Sequence, residues 1–469
     1  MKPDRNEKKQ KPIFTNRVIL RNGKIGKDAC KILADALEAV NPYSATYEQI
    51  VLQNQNLIIG HTNFNLEEIK RVFLIGFGKA AVPMAKAVID ILGSLIFQAA
   101  VITKGPKFLD ENGYKNKLKV YLGSHPIPSE NSVKSTKLLL NSLPELTEKD
   151  LVLVVISGGG SALFTDPVHG VTLKDIQQLT QILLKSGANI NEINTLRKHL
   201  DQVKGGRLAE KLQPAQVTTL ILSDVIGDRL DIIASGPTVI DPTTYQDAID
   251  VLERYDVLNE VPVSIFEYLK NGCAGNFPET LKPESLPAGK VSNHIIGTNF
   301  HAAKAAFDSA NSLGYNAILF TTAVTGLTDH VSEFIEGITL TALKYHFPVS
   351  KPACIIFGGE PTVIVQGGGL GGRNMDLALK MVPKITDYEN ILFISFATDG
   401  EDGPTDAAGA VADGLMFREG QEKFGLDIET YITNNDSYHY HEIMGSLIKT
   451  GATGSNVNDL MLLMIGDTS

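Results

Sequence analysis

Three glycine-rich turns and two clusters of carboxylates carry the residue types that phosphate chemistry requires. The turns read Gly76-Phe77-Gly78-Lys79-Ala80-Ala81, Ser157-Gly158-Gly159-Gly160-Ser161-Ala162 and Gly367-Gly368-Gly369-Leu370-Gly371-Gly372-Arg373-Asn374. Amides at a strand-to-helix turn point outward together, and glycine lets an anion approach them closely. The first turn matches GxGxxA, the dinucleotide pattern, but the next apolar run ends in Thr103-Lys104 where an acid should bind a ribose. Lys79 suits a phosphate or carboxylate better; the plain alternative is a tight turn with a solvated lysine. The second turn has more glycine than a structural turn needs, which favours an anion nest. The third nearly spells the P-loop, yet Arg373 and Asn374 replace its Lys and hydroxyl, so a Walker A is excluded and an arginine-forked anion loop remains.

Magnesium takes one or two carboxylates and fills its shell with water and phosphate oxygens. Asp224, Asp228 and Asp231 follow the apolar run at 217–222, ahead of the tight turn 233–238; Asp399, Glu401, Asp402 and Asp406 follow the run at 391–397. Either cluster alone reads as an ordinary turn, and neither has EF-hand spacing. Arg197, Lys198, His199, Lys204 and Arg207 concentrate positive charge in 194–207. Two readings stay open there, an anion site and a solvated helix end stopped by Gly205-Gly206. His125, before a proline, reads as a loop residue, and His439 and His441 as a surface loop.

The elements that position these groups repeat a simple unit of apolar run, glycine turn and helical pattern. Runs at 71–75, 99–103, 151–156, 217–222, 294–297, 316–322, 353–357, 362–365 and 391–397 are continuous rather than alternating, as in strands buried on both faces of a parallel sheet. The fold class is therefore α/β, as two domains of mostly parallel sheets flanked by helices. A polar, Pro/Gly-rich stretch at 270–290 marks their junction, giving domains at 13–270 and 285–469. With 469 residues and 43 basic against 53 acidic side chains, the net charge of −10 excludes a broad nucleic-acid surface. Three cysteines in no CxxC spacing, no apolar run long enough to span a membrane and a charged, lysine-rich amino terminus predict a cytoplasmic protein.

Taken in order, the motifs resemble those of the class II glycerate kinases, the glycerate 2-kinase family with a carboxy-terminal MOFRL domain. The resemblance runs from about residue 14 to the end, through GFGKAA (76–81), GSHPIPSENS (123–132), ISGGGSALF (156–164), INTLRKHLDQVKGGRLA (193–209), SDVIGDRLDIIASGPTV (223–239), GGEPTV (358–363), GGGLGGRN (367–374), ATDGEDGPTDAAGA (397–410) and TGATGSNVNDL (450–460). It implies ATP-dependent phosphorylation of D-glycerate to 2-phosphoglycerate, a Rossmann-like amino-terminal domain, and a site in the cleft between the domains. ATP and Mg2+ are the implied cofactors, with D-glycerate and ATP as small-molecule partners, no nucleic acid or membrane, and a monomer or homodimer left open.

On that reading Lys79, Arg373 and Asp224 are catalytic, and the first two are expected to be removable with the fold intact. Gly78, Ser157, Gly158, Gly159, Gly160, Ser161, Arg197, Lys204, Glu360, Gly371, Gly372 and Asn374 bind phosphate or substrate, and Asp228 and Asp399 hold the metal. The chain departs from the family pattern at Met375-Asp376, Pro361 and Asp201. The competing readings are an NAD(P)H-dependent hydroxypyruvate reductase, motivated by the GxGxxA turn, and a non-catalytic nucleotide-binding regulator.

Overall fold

The computed structural model describes residues 22–105, 117–285 and 290–467. The lysine-rich first dozen residues, the expected domain start at 13, and 286–289 of the expected junction lie outside them. By internal contacts the chain forms two units, Pro42–Ile296, and residues up to Asn41 together with Gly297 onward.

The Pro42–Ile296 unit opens with a three-stranded antiparallel meander, β1 (Ile50–Gln53), β2 (Asn56–Ile59) and β3 (Thr62–Asn65), absent from the sequence reading. Its main sheet has six strands: β4 (Arg71–Phe77), β5 (Ile96–Lys104), β6 (Lys119–Gly123), β7 (Asp150–Ile156), β8 (Gln216–Leu222) and β9 (Val291–Gly297), in the order β6-β5-β4-β7-β8-β9. Pairing is parallel from β6 through β8. All seven residues of β7 are buried, which accounts for its unbroken Leu/Val/Ile run. Arg71 ties the starts of the two central strands together, its guanidinium donating to both carboxylate oxygens of Asp150 at 2.7 and 2.6 Å.

The second unit holds β10 (Asn316–Val324), β11 (Ala353–Gly359), β12 (Ile391–Ala397), β13 (Gly409–Asp413), β14 (Leu447–Ile448) and β15 (Asp459–Ile465), in the order β10-β11-β15-β12-β13-β14. β10 and β11 are parallel, while β15 runs antiparallel between β11 and β12. β12, β13 and β14 then pair antiparallel. The helix Arg373–Met381 packs into this sheet with every residue from Asn374 to Met381 buried.

Three local expectations change. β9 completes the first sheet, and by internal contacts the units divide between Ile296 and Gly297, just beyond the 270–290 stretch. The helix Gly23–Ala39 goes with the second unit, packing on the helix Asn299–Ser312, with Asp28 and Asp35 accepting from Tyr315 and Ser309. The run at 362–365 is no strand: only Thr362 makes a bridge, to Leu327, and Ile364 and Val365 are 57% and 68% exposed. Pro361 has no amide to donate there, and Asn435 binds this segment from the side, donating to the Ile364 carbonyl and accepting from the Gln366 amide.

Candidate active site

The two glycine turns of the first sheet meet where its strand order reverses. From β4 the chain moves outward through β5 to β6, then returns to start again at β7 beside β4. Open α/β sheets bind ligands outside the carboxyl ends of their strands at such a switch point. The Lys79 amide donates to the Gly158 carbonyl and the Ala80 amide to Ser157 Oγ, both at 2.9 Å. Gly78 has φ 130°, and a Cβ there would stand 2.2 Å from Ser157 Oγ, so only glycine lets the turns touch. Two amides of the GxGxxA turn are thereby used internally, and β5 ends in Lys104 rather than an acid, which weighs against a dinucleotide site.

A cavity of about 550 Å³ opens beside the second turn, walled by the loops leaving β6, β7 and β8. Gly159, Gly160 and Ser161 form its floor, and among the described residues their amides meet no acceptor. Asn194, Arg197, Asp201 and Lys204 enter from the helix Ile190–His199 and the loop after it, and Asp224 from the loop after β8.

The basic cluster is sorted by its surroundings. Lys198 is fully buried and donates to Asp241 at 2.5 Å. His199 bridges the Thr195 carbonyl and Glu279. Arg207 is a strut, donating to the Asp201 carbonyl at 2.7 Å and to the Tyr245 hydroxyl at 3.0 Å. Lys204 lines the cavity but is paired, donating to Asp201 Oδ2 at 2.6 Å and the Phe164 carbonyl at 3.0 Å. Asp201 also accepts from Thr165 Oγ1 at 2.5 Å. Arg197 differs from all of these. It lines the cavity, burial pushes its pKa down, and among the described residues it has no hydrogen-bond or ion-pair partner. Arg197 is half-buried, and a partly desolvated cation without a counter-charge is stabilised when an anion joins it, so it marks where one belongs.

Behind it, Ala234 and Ser235 sit at φ 50° and 63°, left-handed conformations costing on the order of 1–3 kcal/mol each for non-glycine residues. The Gly205 amide holds the turn by donating to the Ser235 carbonyl. Ser235 Oγ in turn meets Ser161 Oγ at 2.7 Å and Asn194 Oδ1 at 3.2 Å. The strain places one hydroxyl against both the glycine floor and the arginine's helix.

His125, read from the sequence as a loop residue, lines the same cavity against Gly159. Burial first, then the charges of Lys79 and Lys104, lower its pKa to about 4. It is therefore neutral at pH 7. Between about 4 and the unfolded value near 6.5 the unfolded chain binds more protons. The stability His125 contributes is thus complete above pH 6.5 and is lost on acidification toward 4. An NMR titration of its ring resonances should show a midpoint near 4, and a midpoint at 6 or above would contradict its burial in the cavity lining.

In the second unit the structure corrects the third turn. The amides of Gly367, Gly368, Gly369 and Leu370 donate to Asn435, Asn434 and Asp436, and those of Asn374 and Met375 to the carboxylate of Asp402. A Cβ on Gly372 would stand 2.4 Å from that carboxylate, and one on Gly371 2.2 Å from Ser437 Oγ. At Gly372 and Asn374 the place expected for a phosphate is held by Asp402, and at Gly371 by Ser437. Burial lifts the Asp402 pKa to about 7, partly opposed by those amide donors. Arg373 is equally engaged: Nε and Nη2 donate to Asp459 at 2.6 and 3.1 Å, and Nη1 to Glu360 at 2.7 Å. The two carboxylates outweigh its burial and hold its pKa high. The histidines near the tail are corrected too. They lie on the helix Ser437–Ile443, with His441 fully buried between Ser446 and the Met375 carbonyl.

The expected metal carboxylates belong to both units. Asp228 sits on the turn after β8 outside the cavity lining, Asp399 lies in the second unit, and only Asp224 lines the cavity. Among the described residues no group of three or more His, Cys, Asp or Glu is placed to hold a metal ion. One carboxylate suits magnesium, which takes its remaining ligands from water and phosphate, so Asp224 fits. The three cysteines are free thiols, and no helix among the described residues is long and apolar enough to cross a membrane.

Residues 28–270 match the family model described as a domain of unknown function (DUF4147), and 353–459 match the MOFRL family. The chain is 40% identical to a glycerate 2-kinase of Pyrococcus horikoshii, over 93% of this chain and 96% of that one. It is 41% identical to a D-glycerate 2-kinase of Thermotoga maritima, over 94% and 98% respectively. A crystal structure of glycerate kinase from Thermotoga maritima superposes with a TM-score of 0.82 at 41% identity, covering 94% of this chain and 99% of that one.

Proposed function

The chain belongs to the glycerate kinase family built from DUF4147 and MOFRL domains, and from that premise we propose that it binds its phosphate and carboxylate groups in the cavity beside β7. Its activity is that of a glycerate 2-kinase, transfer of a phosphoryl group from ATP to an alcohol of D-glycerate. The observation that carries the site assignment is Arg197, a cavity-lining cation with no hydrogen-bond or ion-pair partner among the described residues. Its planar fork matches a carboxylate or phosphoryl face. The amides of Gly159, Gly160 and Ser161 take phosphate oxygens, and Lys79, on the adjoining turn, adds fixed positive charge.

Asp224 is the residue that would hold Mg2+, which when bound neutralises charge on the bridging phosphate oxygens. Phosphoryl transfer depends mainly on positioning and charge, and the cavity's own groups supply both. Lys204 contributes less charge than its type suggests, because Asp201 neutralises it. Arg373 acts through Asp459 and Glu360 and is a positioning residue. The compartment is the cytoplasm.

Phosphorus NMR of the product from D-glycerate and MgATP tests the reaction and its position together. A phosphate on C2 couples to one proton and gives a doublet, whereas one on C3 couples to two and gives a triplet. Oxidation of NADH by hydroxypyruvate, with no ADP formed from glycerate, would replace the kinase by the reductase. Lys79→Ala should lower kcat by about two orders of magnitude, the scale for one preorganised donor, with an unchanged melting temperature. Turnover within a few-fold of wild type would remove Lys79 from the reaction.

A further inference from the structure

The cavity is amphiphilic. Besides its polar groups the cavity is lined by Ile127 from the loop after β6, Ile176 and Leu184 from the helix Leu173–Lys185, and Ile190 at the start of the next helix. Three of these are unusually open for branched aliphatics: Ile127 is 60%, Leu184 61% and Ile190 54% exposed. Glycerate, with three carbons, two hydroxyls and a carboxylate, offers no surface to cover such a wall and would fill only a fraction of about 550 Å³. Among the reactants only the nucleoside part of ATP is flat, largely apolar on its faces and large enough.

We propose that the purine of ATP lies on the wall formed by Ile127, Leu184 and Ile190, with its phosphates reaching the floor at Gly159, Gly160 and Ser161. The proposal rests on the cavity being the phosphate site. One end of the cavity then meets the triphosphate with amides and Arg197, and the other meets the base with methyl groups. Gln181 lies one turn before Leu184 on the same helix and lines the same wall. Its amide has both a donor and an acceptor, which suits the edge of a base.

Leu184→Ser and Ile190→Ser test the seat. Both side chains are more than half exposed, so neither change should disturb the fold, and neither adds charge. Each is expected to raise the KM for MgATP about three- to tenfold, and the pair about tenfold or more, with the KM for D-glycerate and kcat within about twofold. Inorganic tripolyphosphate, which has no base, should inhibit wild type and both variants with the same Ki. An unchanged KM for MgATP in the double variant, or a rise in the glycerate KM alone, overturns the base seat. Failure of the underlying assignment has a separate signature: an Arg197→Ala enzyme that retains wild-type turnover and tripolyphosphate inhibition places the phosphates elsewhere.

Discussion

Replacing Arg197 with alanine should reduce kcat/KM for glycerate phosphorylation by about 10²- to 10³-fold, the loss of one charge-assisted forked contact in a cavity sheltered from water. The melting temperature should stay the same or rise. Arginines buried against carboxylates behave oppositely, since their removal orphans the partner. Arg197 has no such partner among the described residues, and its partial desolvation lowers its pKa with no carboxylate to oppose it. Activity and stability are therefore uncoupled at this position. Arg197→Lys keeps the charge but not the planar fork, so it should recover only part of the activity. Steady-state kinetics beside a thermal melt decide the matter. A stable variant with near-normal turnover would refute the assignment, and an unstable one would point to a structural partner for Arg197.

Arg373→Ala should instead cost about 3–5 kcal/mol of folding stability, the usual consequence of leaving one member of a buried ion pair alone. Asp459 is fully buried, and burial already lifts its pKa to about 6 in spite of the guanidinium beside it. Without Arg373 it must either protonate or drag water into the sheet. Denaturant titration should show the loss at pH 8, and a smaller loss near pH 5, where protonation relieves the stranded carboxylate. Adding Asp459→Asn should restore a large part of the stability but not the activity. An Arg373→Ala protein as stable as wild type would show that the pair contributes nothing. This result also governs how activity losses at Arg373 are read, because the sequence treats the residue as removable with the fold intact.

Five strands of the first sheet were legible as apolar runs rich in Val, Ile and Leu, the pattern that burial within a sheet selects, whereas β6, whose residues are exposed or half-buried, was not. β15 was not. Its Leu-Met-Leu-Leu-Met core holds no β-branched residue before Ile465, and its residue types favour helices as readily as strands. Tertiary context decides the matter, with β11 and β12 supplying hydrogen bonds on both edges.

At the site, sequence marked 194–207 as a concentration of cations but could not say which one faces the ligand. Adjacent helical residues point about 100° apart, so Arg197 turns to the cavity while Lys198 turns inward to Asp241. The third glycine turn misled for a different reason. Its last glycine does pack on a carboxylate, but it is that of Asp402, 28 residues beyond Asn374, and the acceptors of the other amides lie 65 or more residues away in the chain. Glycine content reveals a close approach without revealing what approaches. His125 lay inside the motif GSHPIPSENS, but a lone histidine before proline carries no periodicity that would aim it at the cavity.

The position of β15 also sets an order of assembly. During synthesis every strand of the Pro42–Ile296 sheet emerges before any strand of the second, so that unit can close while translation continues. The second unit cannot do the same. Its first described helix, Gly23–Ala39, is made before the entire first unit, and its central strand is made after all its other strands. Until β15 arrives, β11 and β12 present unpaired inner edges to the solvent. Such edges are open to pairing with other chains, so the second unit's vulnerability to aggregation is concentrated in the interval before residues 459–465 leave the ribosome.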